Sequence, residues 1–136
     1  MDDSIKKASD FSEAFHLEVI PLGFDLSKFQ ENLPEKRTET RQKWKLEDEE
    51  VAVAIVGRLA PIKNHSLFLD VIEALAAKGV KARYFIVGDG QEREGIEKRA
   101  KQLESKYGVF IELTSWIKDI ASFNAGMDII CLSSDN

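Results

Sequence analysis

The chain has 136 residues, 43% of them hydrophobic and 32% charged, which is the ordinary balance of one folded globular domain. Its formal net charge of -5 argues against a general nucleic-acid-binding protein, since such proteins normally carry a basic excess. No stretch approaches the roughly 18 apolar residues that span a bilayer, and the polar start lacks the pattern of a signal peptide, so we expect a cytoplasmic domain whose contact with a membrane would be peripheral.

The first fifty residues have little periodicity. His16–Pro21 could form a short strand, and the charge-rich stretch Gln30–Thr40 is typical of a linker. Thr40–Leu46 predicts a short helix that Trp44 anchors on the core. Regular elements are therefore expected mainly beyond this region.

From residue 51 the chain alternates between strand and helix patterns. Val51–Val56 is a continuous apolar run, as expected for a strand that is buried on both faces of a parallel sheet. Asn64–Lys78 places its apolar residues on one helical face. Asn64 is a suitable N-cap for this helix, and Gly79 is a suitable residue just beyond its end.

The same alternation follows again. Tyr84–Val87 predicts a second strand, and Gln91–Tyr107 predicts a second helix that ends before Gly108. Asp89 and Glu92 have the spacing of a capping box at its start. A third strand, a short helix and a fourth strand are predicted at Val109–Leu113, Lys118–Asn124 and Asp128–Leu132. The pattern indicates an α/β fold with a Rossmann-like parallel sheet and flanking helices.

The chain stops shortly after the fourth predicted strand. A doubly wound sheet normally continues there through another helix and strand, so we expect the domain to be truncated at Asn136.

The single cysteine, Cys131, cannot form an internal disulfide, and its apolar neighbours predict an inert buried thiol in a reducing compartment. Self-association through apolar surface at the truncated sheet stays open.

The loops beyond the carboxyl ends of the strands are the candidate functional segments, because ligands of open parallel sheets bind there. The first loop, Gly57–Asn64, brings Arg58 and Lys63 just before a helix N-terminus, which itself favours an anion. Arg58 can bind phosphate with two hydrogen bonds and Lys63 can act as a mobile charge, a pair that suits a diphosphate. The alternative is that both are solvated loop charges. The segment is not a P-loop, because its second glycine and its Ser/Thr are missing.

The second loop begins Gly88-Asp89-Gly90, and the third is Ser115–Asp119. The two glycines permit a tight turn and a close approach of the backbone to a ligand, although a simple turn with Asp89 as N-cap explains them equally well. Trp116 in the third loop could line a pocket for a flat base, or it could cover the core as a surface residue.

The residues themselves show no catalytic arrangement. His65 could approach a phosphate, but a polar residue in the first turn of a helix is more commonly solvated. The two histidines are far apart in sequence, without a Ser/His/Asp or Cys/His partner, and no metal-ligand cluster is visible. The patterns therefore predict an anion-binding α/β domain and no particular reaction.

Five short segments carry a further signal. Val19–Asp25 forms V-I-P-L-G-F-D, Val56–Leu59 with Lys63 forms V-G-R-L-x-x-x-K, and Val87–Gly90 forms V-G-D-G. W-x-x-D and D-I-x-x-L-x-S patterns follow at Trp116, Asp119, Asp128, Ile129, Leu132 and Ser134. In order and spacing, residues 19–136 resemble the C-terminal, donor-binding domain of the family 4 retaining glycosyltransferases, which belong to the GT-B superfamily and the "glycosyl transferases group 1". Leu22 stands in place of the family's usual asparagine.

The resemblance implies a two-domain GT-B enzyme that moves a sugar from a nucleotide-diphosphate sugar to an acceptor with retention of configuration, in polysaccharide or glycoconjugate synthesis. It implies that Gly57, Arg58 and Lys63 bind the diphosphate and stabilise the leaving group, without a metal ion or another cofactor. It also implies that the nucleoside lies near Gly88, Asp89, Gly90, Ser115, Trp116 and Ile117.

The resemblance divides the chain into residues 1–29, the tail of an N-terminal domain and a crossover segment; 30–47, a linker and short helix; and 48–136, a partial nucleotide-sugar-binding domain. The family's E-G-x-P segment and a later glutamate, which contact the donor, do not appear, and we expect the fragment itself to be inactive. An acceptor sugar or lipid-linked glycan would bind the missing domain, in the cytoplasm or at the inner face of the membrane. The alternatives are a GT-B-like sugar-nucleotide epimerase or phosphorylase, and a non-catalytic binding module.

Overall fold

The computed structural model of the chain describes residues 32–134. Its helices and strands are, in chain order, α1 (Leu33–Lys43), β1 (Ala52–Val56), α2 (His65–Ala77), β2 (Arg83–Val87), α3 (Arg93–Tyr107), β3 (Phe110–Thr114), α4 (Ile120–Ala125) and β4 (Ile129–Cys131), with a 3-10 turn at Pro61–Lys63 between β1 and α2. The elements predicted from residue 51 onward are confirmed, with ends that differ by one or two residues. The predicted strand His16–Pro21 and the proposed domain tail 1–29 lie outside the described residues.

The four strands form one parallel sheet in the order β3-β2-β1-β4. Val56 pairs with Val87, and Val87 pairs with Thr114, so β1, β2 and β3 end at the same level. The chain moves outward from β1 in one direction through β2 and β3, and β4 lies on the other side of β1. The loops after the strands therefore meet at one edge of the sheet, with a reversal of strand order between β1 and β4.

Helices cover both faces of the sheet, and alternate residues of β1 enter different core clusters. Val53 and Ile55 belong to the cluster that α2 and α3 cover. Ala52 and Ala54 belong to the cluster on the other face, which contains Phe123 from α4 and against which Trp44 packs. A strand buried on both faces has no polar alternation, which explains the continuous apolar run in the sequence.

The helix predicted at Thr40–Leu46 is observed at Leu33–Lys43, as α1, so it takes in most of the stretch Gln30–Thr40 that was expected to be an irregular linker. The division of the chain at residues 30–47 stays a prediction. The two residues that α1 buries are polar, Thr40 and Arg41, and its sequence therefore carries no apolar stripe to reveal it. The Thr40 hydroxyl donates to the Ser122 carbonyl at 2.6 Å, which fixes α1 on α4. The prediction that Trp44 anchors this segment on the core is confirmed. Its ring packs edge-on against that of Phe85, with 5.5 Å between the ring centroids.

A buried carboxylate connects α1 to the amino edge of the sheet. The side chain of Asp128, which is 1% exposed, lies 2.8 Å from the Arg37 guanidinium and 3.4 Å from that of Arg41. It also accepts from the backbone N–H of Ala52 at 2.8 Å. Arg41 further donates to the carbonyls of Gly126, Glu47 and Glu50. Every charge here has a partner, as buried ions require.

The predicted helix ends are confirmed at three places. The Asn64 side chain accepts from the Leu67 N–H at 3.2 Å, so Asn64 caps α2. Gly79 and Gly108 follow α2 and α3 with φ of +79° and +71°, in the left-handed region that favours glycine.

Cys131 is buried, and burial raises the pKa of its thiol to about 11, as expected of an inert packed thiol. Among the described residues, no helix is long and apolar enough to cross a membrane.

Candidate functional site

The first and second loops are joined through their backbones at the carboxyl edge of the sheet. Gly57 N–H donates to the Val87 carbonyl at 3.0 Å, and Leu59 N–H donates to that of Asp89 at 3.0 Å. Glu92 N–H returns a hydrogen bond of 2.9 Å to the Leu59 carbonyl. Leu59 itself is fully buried, which anchors the first loop between its two cationic residues. The two loops consequently form one unit.

The glycines of the second loop are required by this contact. A Cβ atom at Gly88 would lie 2.0 Å from the Gly57 oxygen, and one at Gly90 would lie 2.5 Å from the Leu59 oxygen. The close approach that these glycines allow is therefore to the first loop; an approach to a ligand stays a prediction. The predicted capping box is wrong: the cap of α3 is Glu92, without a side-chain hydrogen bond, and the Asp89 carboxylate accepts from Gly90 N–H instead.

Arg58 and Lys63 are both exposed, and within residues 32–134 neither side chain forms an ion pair. Lys63 ends the 3-10 turn that leads through Asn64 into the 13-residue helix α2. Within residues 32–134, two cations without a carboxylate partner thus belong to the loop that leads into α2, whose N-terminus attracts negative charge. If Arg58 and Lys63 were only solvated surface charges, there would be no reason for both to lie in the same loop after β1.

Arg93 in the first turn of α3 holds the second and third loops together. Its guanidinium lies 3.3 Å from the carbonyl oxygens of both Gly88 and Thr114 and donates to them. Ion pairs with Glu97 at 2.7 Å and Asp89 at 4.0 Å hold the guanidinium in place. Arg93 carries no functional signal in the sequence, because an arginine on a polar helix turn looks like an ordinary surface residue.

Trp116 in the third loop is 59% exposed and does not cover the core. The edge of its ring lies 3.4 Å from the Cβ position at Gly88, so a flat aromatic surface stands beside the second loop. Ser115 is also exposed, whereas Ile117 packs against the second core cluster. The contacts of these three residues with a nucleoside stay predictions.

His65, the first residue of α2, is 4% exposed, so the expectation that it would be solvated is wrong. Neither ring nitrogen has a hydrogen-bond partner among the residues that the structure describes. Burial lowers the pKa of His65; Glu92 opposes this shift and Lys63 adds to it. His65 is one of the residues that line a cavity of about 30 Å³ at the reversal of strand order; the others are Ile55, Val56, Gly57, Lys63, Leu132, Ser133 and Ser134.

Ser133, just after β4, lines the same cavity. Its hydroxyl lies 3.0 Å from the carbonyl oxygens of both Lys63 and Asn64 and donates to one of them at a time. The loop after β4 is thereby attached to the turn that carries Lys63. Among residues 32–134, no three His, Cys, Asp or Glu side chains come together as a metal site would require.

The family model of the glycosyl transferases group 1 matches residues 36–136. A curated relative from Mycobacterium tuberculosis, a GDP-mannose-dependent alpha-(1-6)-phosphatidylinositol dimannoside mannosyltransferase, is 32% identical over 115 residues, which cover 82% of this chain and 28% of the relative. The chain thus spans 28% of the length of the curated relatives it matches.

Solved glycosyltransferases share the fold. Anabaena Alr3699/HepE in complex with UDP and glucose superposes with a TM-score of 0.65 at 21% identity, over 86% of this chain and 31% of that chain. WaaG, a glycosyltransferase involved in lipopolysaccharide biosynthesis, superposes with a TM-score of 0.62 at 21% identity, over 95% of this chain and 36% of that chain. The predicted α/β fold of the GT-B type is confirmed by these two structures and by the parallel sheet itself.

Proposed function

The chain belongs to the glycosyl transferases group 1, and from that premise we propose that it contributes the donor-binding part of an enzyme that moves a sugar from a nucleotide-diphosphate sugar to an acceptor. Retention of configuration, a cytoplasmic or membrane-face location, and a role in polysaccharide or glycoconjugate synthesis are parts of the same proposal. The acceptor, a sugar or lipid-linked glycan, would bind a part of the enzyme outside this chain.

The single observation that carries the proposal is the position of Arg58 and Lys63. Both side chains are exposed, within the described residues neither is neutralised by an ion pair, and both belong to the loop that precedes α2. A diphosphate at this place would meet two cations and the positive end of a helix dipole. Few other ligands would use all three features at once.

The same cations would act in the reaction as well as in binding. When the bond between the anomeric carbon and the diphosphate oxygen breaks, negative charge builds up on the departing diphosphate. Arg58 and Lys63 would stabilise that charge more strongly in the transition state than in the bound donor, which is what lowers a barrier. We propose on this ground that the enzyme needs no metal ion.

The nucleoside would lie toward the second and third loops. The exposed ring of Trp116 beside Gly88 offers a surface on which a flat base can stack. The choice of base stays open: the mycobacterial relative depends on GDP-mannose, whereas the Anabaena structure holds UDP.

Calorimetric titration of the 136-residue chain with GDP, UDP and ADP, each beside its nucleoside, tests the proposal. We expect one diphosphate to bind and its nucleoside to bind far more weakly. Arg58→Ala and Lys63→Ala should each weaken diphosphate binding about tenfold to a hundredfold, because a hydrogen bond to a charged group contributes about 1.5–3 kcal/mol and 1.4 kcal/mol is a factor of ten.

Lys101→Ala is the matched control, since it removes the same charge from an exposed position on α3, away from the loops. Its affinity should stay within about twofold of the unaltered chain, because a distant exposed charge is screened by salt. Equal affinity for diphosphate and nucleoside, or equal losses in Lys101→Ala and Arg58→Ala, would contradict a diphosphate site.

A further inference from the structure

His65 is a buried polar side chain that has no hydrogen-bond partner among residues 32–134. The residue is 4% exposed, and neither ring nitrogen has a hydrogen bond within the part of the chain that the structure describes. Buried polar groups in folded proteins nearly always have partners, so each exception needs a reason. An apolar side chain of similar size would fill this position without the penalty.

The surroundings of the ring indicate what the partner is. The cavity that His65 lines, of about 30 Å³, also touches Gly57 and Lys63 of the first loop and Ser133 and Ser134 after β4. This volume has room for one or two water-sized groups. It lies at the start of α2 and at the reversal of strand order, where open parallel sheets bind their ligands.

We propose that His65 is a further ligand-binding residue of this site, and that its ring donates a hydrogen bond to a phosphate oxygen of the diphosphate that enters the cavity beside Lys63. The inference rests on the proposed function. Lys63 and Arg58 attract the diphosphate by charge, whereas His65 contributes a short-range contact in a fixed direction. The lowered pKa of His65 fits this role, because a neutral ring keeps one N–H donor without adding a buried charge.

Two properties of a His65→Leu variant distinguish binding from a structural role. Replacing an unpartnered imidazole by an apolar side chain removes a desolvated polar group, so we expect the melting temperature to stay equal or to rise. Affinity for GDP or UDP should fall about tenfold, while affinity for guanosine or uridine should not change. A histidine with only a structural role would give the opposite pair of results, with lower stability and unchanged affinity.

The ring itself can be observed directly, because the chain has only two histidines. A His16→Gln variant assigns the signals in long-range 1H–15N spectra. On saturation with GDP or UDP, we expect the 15N shift of one His65 nitrogen to move toward a hydrogen-bonded value, and the Arg58→Ala variant to lose the change at the same ligand concentration.

The outcomes separate the two levels of the proposal. If the chain binds a diphosphate in an Arg58-dependent manner and the His65 signals stay in place, His65 is not a ligand and the donor site stands. A moving signal with unchanged affinity of His65→Leu also overturns the contact. If no diphosphate binds in preference to its nucleoside, the donor site and the His65 contact fail together. Should His65→Leu not fold, the ring spectra of the unaltered chain decide.

Discussion

At the scale of single residues, the backbone of the first loop leaves room only for glycine at two positions of the second loop, Gly88 and Gly90. The carbonyl oxygens of Gly57 and Leu59 occupy the space that side chains at Gly88 and Gly90 would need. Backbone atoms held by hydrogen bonds cannot move aside as a flexible side chain would. The sequence predicted a tight turn here, but the reason for its glycines lies in a segment remote along the chain.

Gly88→Ala should destabilise the fold by about 3 kcal/mol or more, because the new Cβ would clash with the Gly57 oxygen and an alanine would be strained at a φ of +136°. Gly95→Ala is the matched change of opposite sign. Gly95 lies in α3 with nothing within 4 Å of its Cβ position, so alanine there should stabilise by about 0.5–1 kcal/mol. Urea unfolding of both variants measures the two values, and a loss smaller than 1 kcal/mol at Gly88 would contradict the interlocked loops.

The burial of His65 illustrates what sequence patterns cannot supply. The residue sits in the first turn of a helix, where solvent exposure is the common state. His65 and Ser133 line the same small cavity, and the Ser133 hydroxyl donates to the Lys63 carbonyl, so the segment after β4 is attached next to the start of α2. The contact between Ser133 and Lys63 joins residues far apart in the chain, and no sequence pattern in either segment predicts it.

At the scale of elements, the helices α2 and α3 could be predicted and α1 could not. Helices α2 and α3 bury apolar residues at helical spacing, and this spacing is visible in the sequence. Helix α1 is attached through Arg37, Thr40 and Arg41, and hydrogen bonds to distant carbonyl groups leave no pattern in the residues that make them. A polar segment of this kind is indistinguishable from a linker until its partners are known.

Asp128→Asn tests how α1 is attached. Loss of the carboxylate charge would leave the buried Arg41 guanidinium without its counter-ion, so we expect a destabilisation of about 3–5 kcal/mol. Asp70→Asn serves as control, since its carboxylate is 62% exposed and pairs with Arg99 at the surface, where the loss should stay below about 1 kcal/mol. Thermal or urea unfolding gives both values. Equal effects at the two positions would show that the Asp128 network does not hold α1.

At the scale of the whole molecule, the Asp128 network and the loops proposed to bind the donor occupy opposite edges of the sheet. The Asp128 network joins the amino ends of β1 and β4, while the loops with Arg58, Lys63 and Trp116 follow the carboxyl ends of the strands. The parallel sheet and its loops were predicted from the alternation of patterns and from short motifs. The nucleotide, the sugar and the acceptor could not be predicted, because the family motifs of this chain name none of them.

We expect the 136-residue chain to bind a donor nucleotide without transferring sugar. The part of this chain that matches the mycobacterial mannosyltransferase covers 28% of that relative, and the residues of this chain do not include the donor-contacting glutamates that the family resemblance implies. Release of GDP from GDP-mannose and of UDP from UDP-glucose, followed with a coupled assay, should not exceed the rate without protein. Turnover that is lost in Arg58→Ala would refute this expectation.

The hydrogen bonds between the first two loops have an entropic consequence for recognition. Leu59 and Glu92 hold both backbones in place before a ligand arrives, so binding need not freeze them. Ordering of loops is one of the main costs of association, and a preorganised edge avoids it. If the loops bind a nucleotide as proposed, we expect exposed side chains such as Trp116 to discriminate between nucleotides, and a change of donor to require new side chains on an unchanged backbone.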